Sequence, residues 1–112
     1  MVQYPRRLDH AFAAISDPTR RGILERLGRG DASISDLSES FDMTLTGIKK
    51  HVRVLEDAGL VITKKVGRVR NCRLGPHQLE DEEAWIANYR AVQEDRFNHL
   101  EKFLERNKRA KS

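Results

Sequence analysis

Residues Ser33–Lys65, SISDLSESFDMTLTGIKKHVRVLEDAGLVITKK, followed after Val66 by GRVRNCRL at 67–74, decide the fold of this chain. Ser33 with Asp36 three residues later forms a capping box, an acidic residue standing in for the usual Glu or Gln, and Leu37 and Phe41 lie four apart on one helical face. Asp42-Met43 leaves room only for a turn. Thr44 then caps a second helix in which Leu45, Ile48, Val52 and Leu55 share one flank, and Gly59 stands where a helix-ending glycine belongs. Leu60–Lys65 and Val69–Leu74 are short β-prone runs around Val66-Gly67-Arg68, a hairpin. Two short helices, a tight turn and a hairpin make a helix-turn-helix followed by a β-wing, and point to DNA binding.

The charge pattern agrees. Between Thr44 and Arg73 eight Lys/Arg face two Asp/Glu, a local net of +6, whereas Leu74–Glu105 carries a net of −5. The whole chain is only +4, so its basic excess sits on the expected reading head. Lys and Arg placed there displace condensed counterions from phosphates. In the second helix Thr46, Gly47, Lys50, Arg53 and Val54 point away from the apolar flank, with Lys49 and His51 at the boundaries. Thr44, Thr46, Gly47, Lys49, Lys50 and Arg53 are therefore the expected groove or phosphate contacts, joined by Arg68 and Arg70 on the wing, where Arg73 follows. Gly47 would permit close approach, and His51 is read as a packing or hydrogen-bonding residue. An ordinary amphipathic helix with a solvated basic face is the plain alternative for this element taken alone.

Around this centre the organisation is compact. Leu8, Ala11, Phe12 and Ile15 form the stripe of a first helix over 8–16. A second, over 17–28, opens on Asp17 and Pro18 and turns Ile23, Leu24 and Leu27 inward before Gly28 and Gly30. Arg20 and Arg21 are placed where they could approach phosphate. The helix-turn-helix occupies 33–58 and the wing 60–74. After Pro76, residues 79–105 make a last helix of about seven turns. Trp85, Ile86, Tyr89, Val92, Phe97, Leu100, Phe103 and Leu104 recur along one broad side of it. So small a domain has little core left to cover such a stripe, and pairing two copies about a two-fold axis would bury it. Leu8, Phe12 and Ile15 are expected to complete this homodimer interface, the plain alternative being a helix folded back on its own domain. Residues 106–112 read as a frayed basic tail.

The expected fold class is thus mainly α with a small β-hairpin: one winged helix-turn-helix domain over 1–112, with terminal helices for dimerisation. At 112 residues, 34% charged and 38% hydrophobic, the chain reads as soluble. It has no apolar run that would span a membrane, and MVQYPRRLDHAF at its start lacks an apolar signal region, so a cytoplasmic location is expected. One cysteine, Cys72, excludes an intrachain disulfide. No Gly-rich phosphate loop, nucleophile elbow or paired carboxylates speak for an enzyme, and no cofactor is expected. The acidic run Glu80-Asp81-Glu82-Glu83 suits the N-terminus of a helix.

DPTRRGILERL at 17–27, ISDLSESFDMTLTGIKKHVRVLEDAGLV at 34–61 and GRVRNCRL resemble the ArsR-type winged-helix transcriptional regulators of bacteria and archaea, over roughly residues 8–105. The most specific pieces are Asp17-Pro18-Thr19-Arg20 and the run from His51-Val52-Arg53-Val54-Leu55 to Gly59-Leu60-Val61. The resemblance implies a homodimeric repressor of double-stranded DNA, and many such repressors are released from the operator by metal ions. Lys49 departs from it, since a small polar residue such as Ser is usual at that place, so base preference there is not carried over. Thiolate metal sites in the resembled family need clustered cysteines, but Ser33, Ile34 and Ser35 occupy one such region and Cys72 is the only thiol. No metal site is therefore expected, and Cys72 is read as a small buried group. Two alternatives stay open: a winged-helix protein-interaction module, which the basic face disfavours, and a metal-responsive repressor using His77, His99 or acidic groups across a dimer. The sequence identifies no small-molecule effector.

Overall fold

A computed structural model describes residues 6–110; residues 1–5 and 111–112, parts of the N-terminal segment and the basic tail read above, lie outside it. The elements run α1 (Arg6–Ile15), α2 (Pro18–Leu27), β1 (Ala32–Ser33), α3 (Ile34–Ser40), α4 (Leu45–Asp57), β2 (Val61–Val66), β3 (Val69–Leu74) and α5 (Glu80–Ala110). They divide into two compact units, one ending at Leu79 and one beginning at Glu80. No helix among the described residues is long and apolar enough to cross a membrane.

In the first unit α2, α3 and α4 each start on a side-chain cap. Asp17 accepts from the backbone N–H of Arg20, Ser33 from that of Asp36, and Thr44 from that of Gly47, each at 3.0 Å. The capping box at α3 closes both ways, because Asp36 also accepts from the backbone N–H of Ser33 at 3.1 Å. That backbone bond holds the Asp36 carboxyl below its usual range, as the Arg20 N–H does for Asp17. The stability these caps supply is present above the unfolded carboxylate value of about 4 and fades as the pH falls through the lowered folded value.

Helices α3 and α4 end alike. At α3 the N–H of Asp42 bonds Glu39 and that of Met43 bonds Ser38; at α4 Gly59 bonds Glu56 and Leu60 bonds Leu55. Both are Schellman closures, which need a left-handed residue. Gly59 takes it at φ 75° without cost, and Asp42 takes it at φ 50°, so the turn between the two helices stores modest backbone strain.

Ile23, Leu27, Ile34, Leu37, Ile48, Val52, Leu55, Leu60, Val61 and Cys72 form the centre of one core. A fully buried aliphatic side chain of this kind contributes about 1.5–3 kcal/mol. Leu45 does not join its three expected companions, being 47% exposed. At 3.6 residues per turn it lies about 50° from their mean direction. The wing strands pair antiparallel from Val61↔Leu74 to Val66↔Val69, leaving Gly67-Arg68 as a two-residue turn. Gly67, at φ 63°, provides the positive φ that such a turn needs at its first position. A third strand, β1, pairs with β3 through Ala32↔Cys72 and Ser33↔Asn71, so the hairpin is part of a small sheet of order β1-β3-β2. Two residues give no alternation to read, which is why the sequence shows only the hairpin.

The return from the wing passes tightly over the end of α4. Gly75 donates to the Leu60 carbonyl at 2.8 Å, and a Cβ there would sit 2.4 Å from the Gly59 carbonyl oxygen. Backbone cannot yield as a side chain does. Gly75→Ala is therefore expected to destabilise the unit by about 2 kcal/mol or more, read as a lowered denaturation midpoint.

The second unit is α5, 31 residues and about 46 Å long. It continues past residue 105 to Ala110, because Arg, Lys and Ala are good helix formers. Its first turn holds Glu80, Asp81, Glu82 and Glu83. Trp85 and Tyr89 stack with ring centroids 5.6 Å apart, and Arg90 pairs with Glu94 at 3.7 Å. The eight apolar residues read as an interface, from Trp85 to Leu104, are all between 41% and 70% exposed. Of the three expected partners on α1, Phe12 and Ile15 are half-buried. Leu8 is 6% exposed.

Candidate nucleic-acid interface

With Ile48, Val52 and Leu55 fully or nearly buried, the rest of α4 is turned outward. Thr44, Thr46, Lys49, Lys50, Arg53 and Val54 are all exposed. Gly47 differs, being half-buried; a Cβ there would stand 3.2 Å from Thr44 Oγ1, so its bareness also serves the helix cap. The turn of the helix grades these groups. Thr46 and Lys50 lie opposite the core, whereas Leu45, Lys49 and Glu56 rotate toward the wing, with Arg53 between.

His51 faces away from the wing. Its Nδ1 is 3.2 Å from Arg20 Nη1 and 3.9 Å from Asp17 Oδ2, which ties α4 to the start of α2. Arg20 also donates to the carbonyls of Ala14 at 2.8 Å and Ala13 at 3.0 Å, and Arg21 to that of Ile15 at 2.7 Å. Both arginines thus cap the end of α1, where a helix offers unpaired carbonyls and negative potential. The two side chains thereby gain a structural task that the sequence alone did not show.

Between α4 and the wing lies a cleft of about 470 Å³. Ser33, Ile34, Ser35, Leu45, Lys49, Lys65, Arg68, Val69 and Arg70 line it: four cations and no acid. Arg68 is at the hairpin turn, and Lys65 pairs directly with Arg70 across the strands. Lys65 is a contributor the sequence reading missed. Period-two alternation from a two-residue turn places it on the face of Arg70, so the signal was there once the turn was fixed. Arg73, paired with Ile62, belongs to the opposite face, where it lines a smaller hollow with Lys64 and Asn71.

Under the cleft, Cys72 is fully buried, and that burial pushes its thiol up to about 11; Glu56 adds to the rise and Arg70 opposes it. Such a thiol stays protonated and inert at neutral pH. Among the described residues no group of three or more His, Cys, Asp or Glu is placed to hold a metal ion.

Residues 15–63 match the helix-turn-helix domain family. The chain is 33% identical over 82 residues to the transcriptional repressor SdpR of Bacillus subtilis, spanning 73% of this chain and 91% of that protein. A crystal structure of an ArsR-family transcriptional regulator is matched at 45% identity and a TM-score of 0.74, over 84% of this chain and 97% of that one. The chain belongs to the ArsR family. An ArsR-like transcriptional regulator from Rhodococcus sp. RHA1 is similar in the same way, with a TM-score of 0.77 at 33% identity over 89% and 92% of the two chains. As an ArsR-family member the protein is a winged-helix DNA-binding transcriptional regulator, not an enzyme. The basic cleft and the outward side of α4 together expose cations and hydrogen-bond donors.

Proposed function

We propose that this ArsR-family regulator is a repressor that binds a palindromic operator as a homodimer, with α4 in the major groove. The supporting observation is the cleft between α4 and the wing, with four cations and no acid among its lining residues. In this reading Lys50 and Arg53 reach base edges, where either could take the O6 and N7 acceptors of guanine. Thr44, whose oxygen caps the helix, still has its hydroxyl proton to give to a phosphate. Thr46 and Lys49 flank it, Gly47 lets the duplex come close, and Arg68 and Arg70 contact the backbone beside the groove.

The dimer rests on α5. Its exposed apolar residues form a face that a regulator in water has reason to cover, and a second copy supplies the matching surface. Leu8, Phe12 and Ile15 of α1 are the expected supplement. Two recognition helices related by a two-fold axis meet successive major grooves, so the half-sites should lie about 10 base pairs apart or a multiple of that. Enrichment of bound duplexes from a randomised pool tests this reading. An inverted repeat with that spacing is the expected product, and a single unrepeated motif, or no enrichment, would contradict it.

A further inference from the structure

Arg70 differs from Arg68 in being tethered. Its Nη1 donates to Thr63 Oγ1 at 2.9 Å, and the Thr63 hydroxyl in turn donates to Glu56 Oε2 at 3.2 Å. The order is fixed by chemistry: a guanidinium only donates, a carboxylate only accepts, and a hydroxyl has one proton to give and lone pairs to receive. The relay joins α4, β2 and β3. Thr63 stands opposite Cys72 in the wing register, so Arg70 reaches it diagonally across the strands. Both Glu56 and Arg70 line one groove with Lys49 and Arg53, alongside the exposed side of α4.

We propose that Thr63, backed by Glu56, is the positioning residue that holds the Arg70 guanidinium beside α4, ready for a backbone phosphate; this rests on the reading that Arg70 contacts DNA. A long exposed side chain ordinarily loses rotamer freedom when it docks. Arg70 has given up part of that freedom on folding, so less is lost on binding. The hydroxyl also keeps the two opposite charges apart. Glu56 steers Arg70 through Thr63 without taking it in a direct ion pair, which leaves the other guanidinium N–H groups for the duplex.

The test uses the full chain and the duplex that the wild-type protein enriches from a randomised pool, with affinity measured across a salt series. Arg70→Ala should weaken binding and lower the salt slope by about one, as for any lost phosphate contact. Thr63→Val keeps every charge, so it should weaken binding about 3- to 10-fold with the slope unchanged. Thr63→Ser, which keeps the hydroxyl, should restore wild-type affinity. In an Arg70→Ala background, Thr63→Val should add nothing, since a residue acting through Arg70 has no partner left. Wild-type affinity for Thr63→Val alongside a weakened Arg70→Ala would overturn the positioning role and leave the wing contact standing. An equal loss from Thr63→Val in both backgrounds would also overturn it, by showing that Thr63 acts on the fold. Unchanged affinity and slope for Arg70→Ala would remove the wing contact itself, and the inference with it.

Discussion

Replacing Lys50 and Arg53 together by Ala is expected to abolish most operator affinity while leaving the fold intact. Both side chains are exposed, and both lie on the side of α4 that the core does not use. Base contacts of this type are worth about 1–3 kcal/mol each, so the pair should lose at least about 30-fold in binding. Stability should change by less than about 0.5 kcal/mol, as for ordinary surface sites. Fluorescence anisotropy with the enriched duplex reads the first effect and thermal denaturation the second. Base contacts and phosphate contacts separate in this experiment. Loss confined to the enriched sequence marks readout, whereas an equal loss on random duplex marks charge alone.

Putting charge into the exposed face of α5 should have an effect of similar size by a different route. Phe97 is 65% exposed and Leu100 54% exposed, so Glu at both positions leaves no hole in either unit. In a dimer built on this face the two carboxylates would be buried against their symmetry mates, which is prohibitive without partners. The doubly substituted protein is therefore expected to scatter light as the 12.9 kDa chain rather than as twice that mass. With one recognition helix per particle the linkage between half-sites is lost, and affinity for a two-half-site duplex should fall on the order of 100-fold or more. Affinity for a single half-site should stay as it was. An unchanged mass would place the interface elsewhere.

How much of this was legible beforehand depended on whether the signal is local. Ser33 with Asp36, Thr44 and Gly59 act within a few residues of themselves, and the structure uses each as a cap. The flank formed by Ile48, Val52 and Leu55 follows from helical period alone. What escaped involves pairing across the chain. Arg20 and Arg21 read as free cations until the carbonyls of α1 are brought against them. Leu45 counts as apolar in any periodic pattern, yet the rotation of α4 leaves it on the rim of the cleft. Lys65 and Thr63 acquire meaning only from the strand register that sets one beside Arg70 and the other within its reach. For the candidate site, the residue types and the helix were legible, whereas the relay that organises the wing was not.

The central claim, that α4 reads base edges in the major groove, is tested most directly by methylation interference on the enriched duplex. Methylation of guanine N7 alters the major groove, and methylation of adenine N3 the minor groove. The prediction is interference at guanine N7 in two symmetry-related clusters about 10 base pairs apart or a multiple of that. Binding that tolerates every N7 methyl group, with interference only at adenine N3, would contradict it.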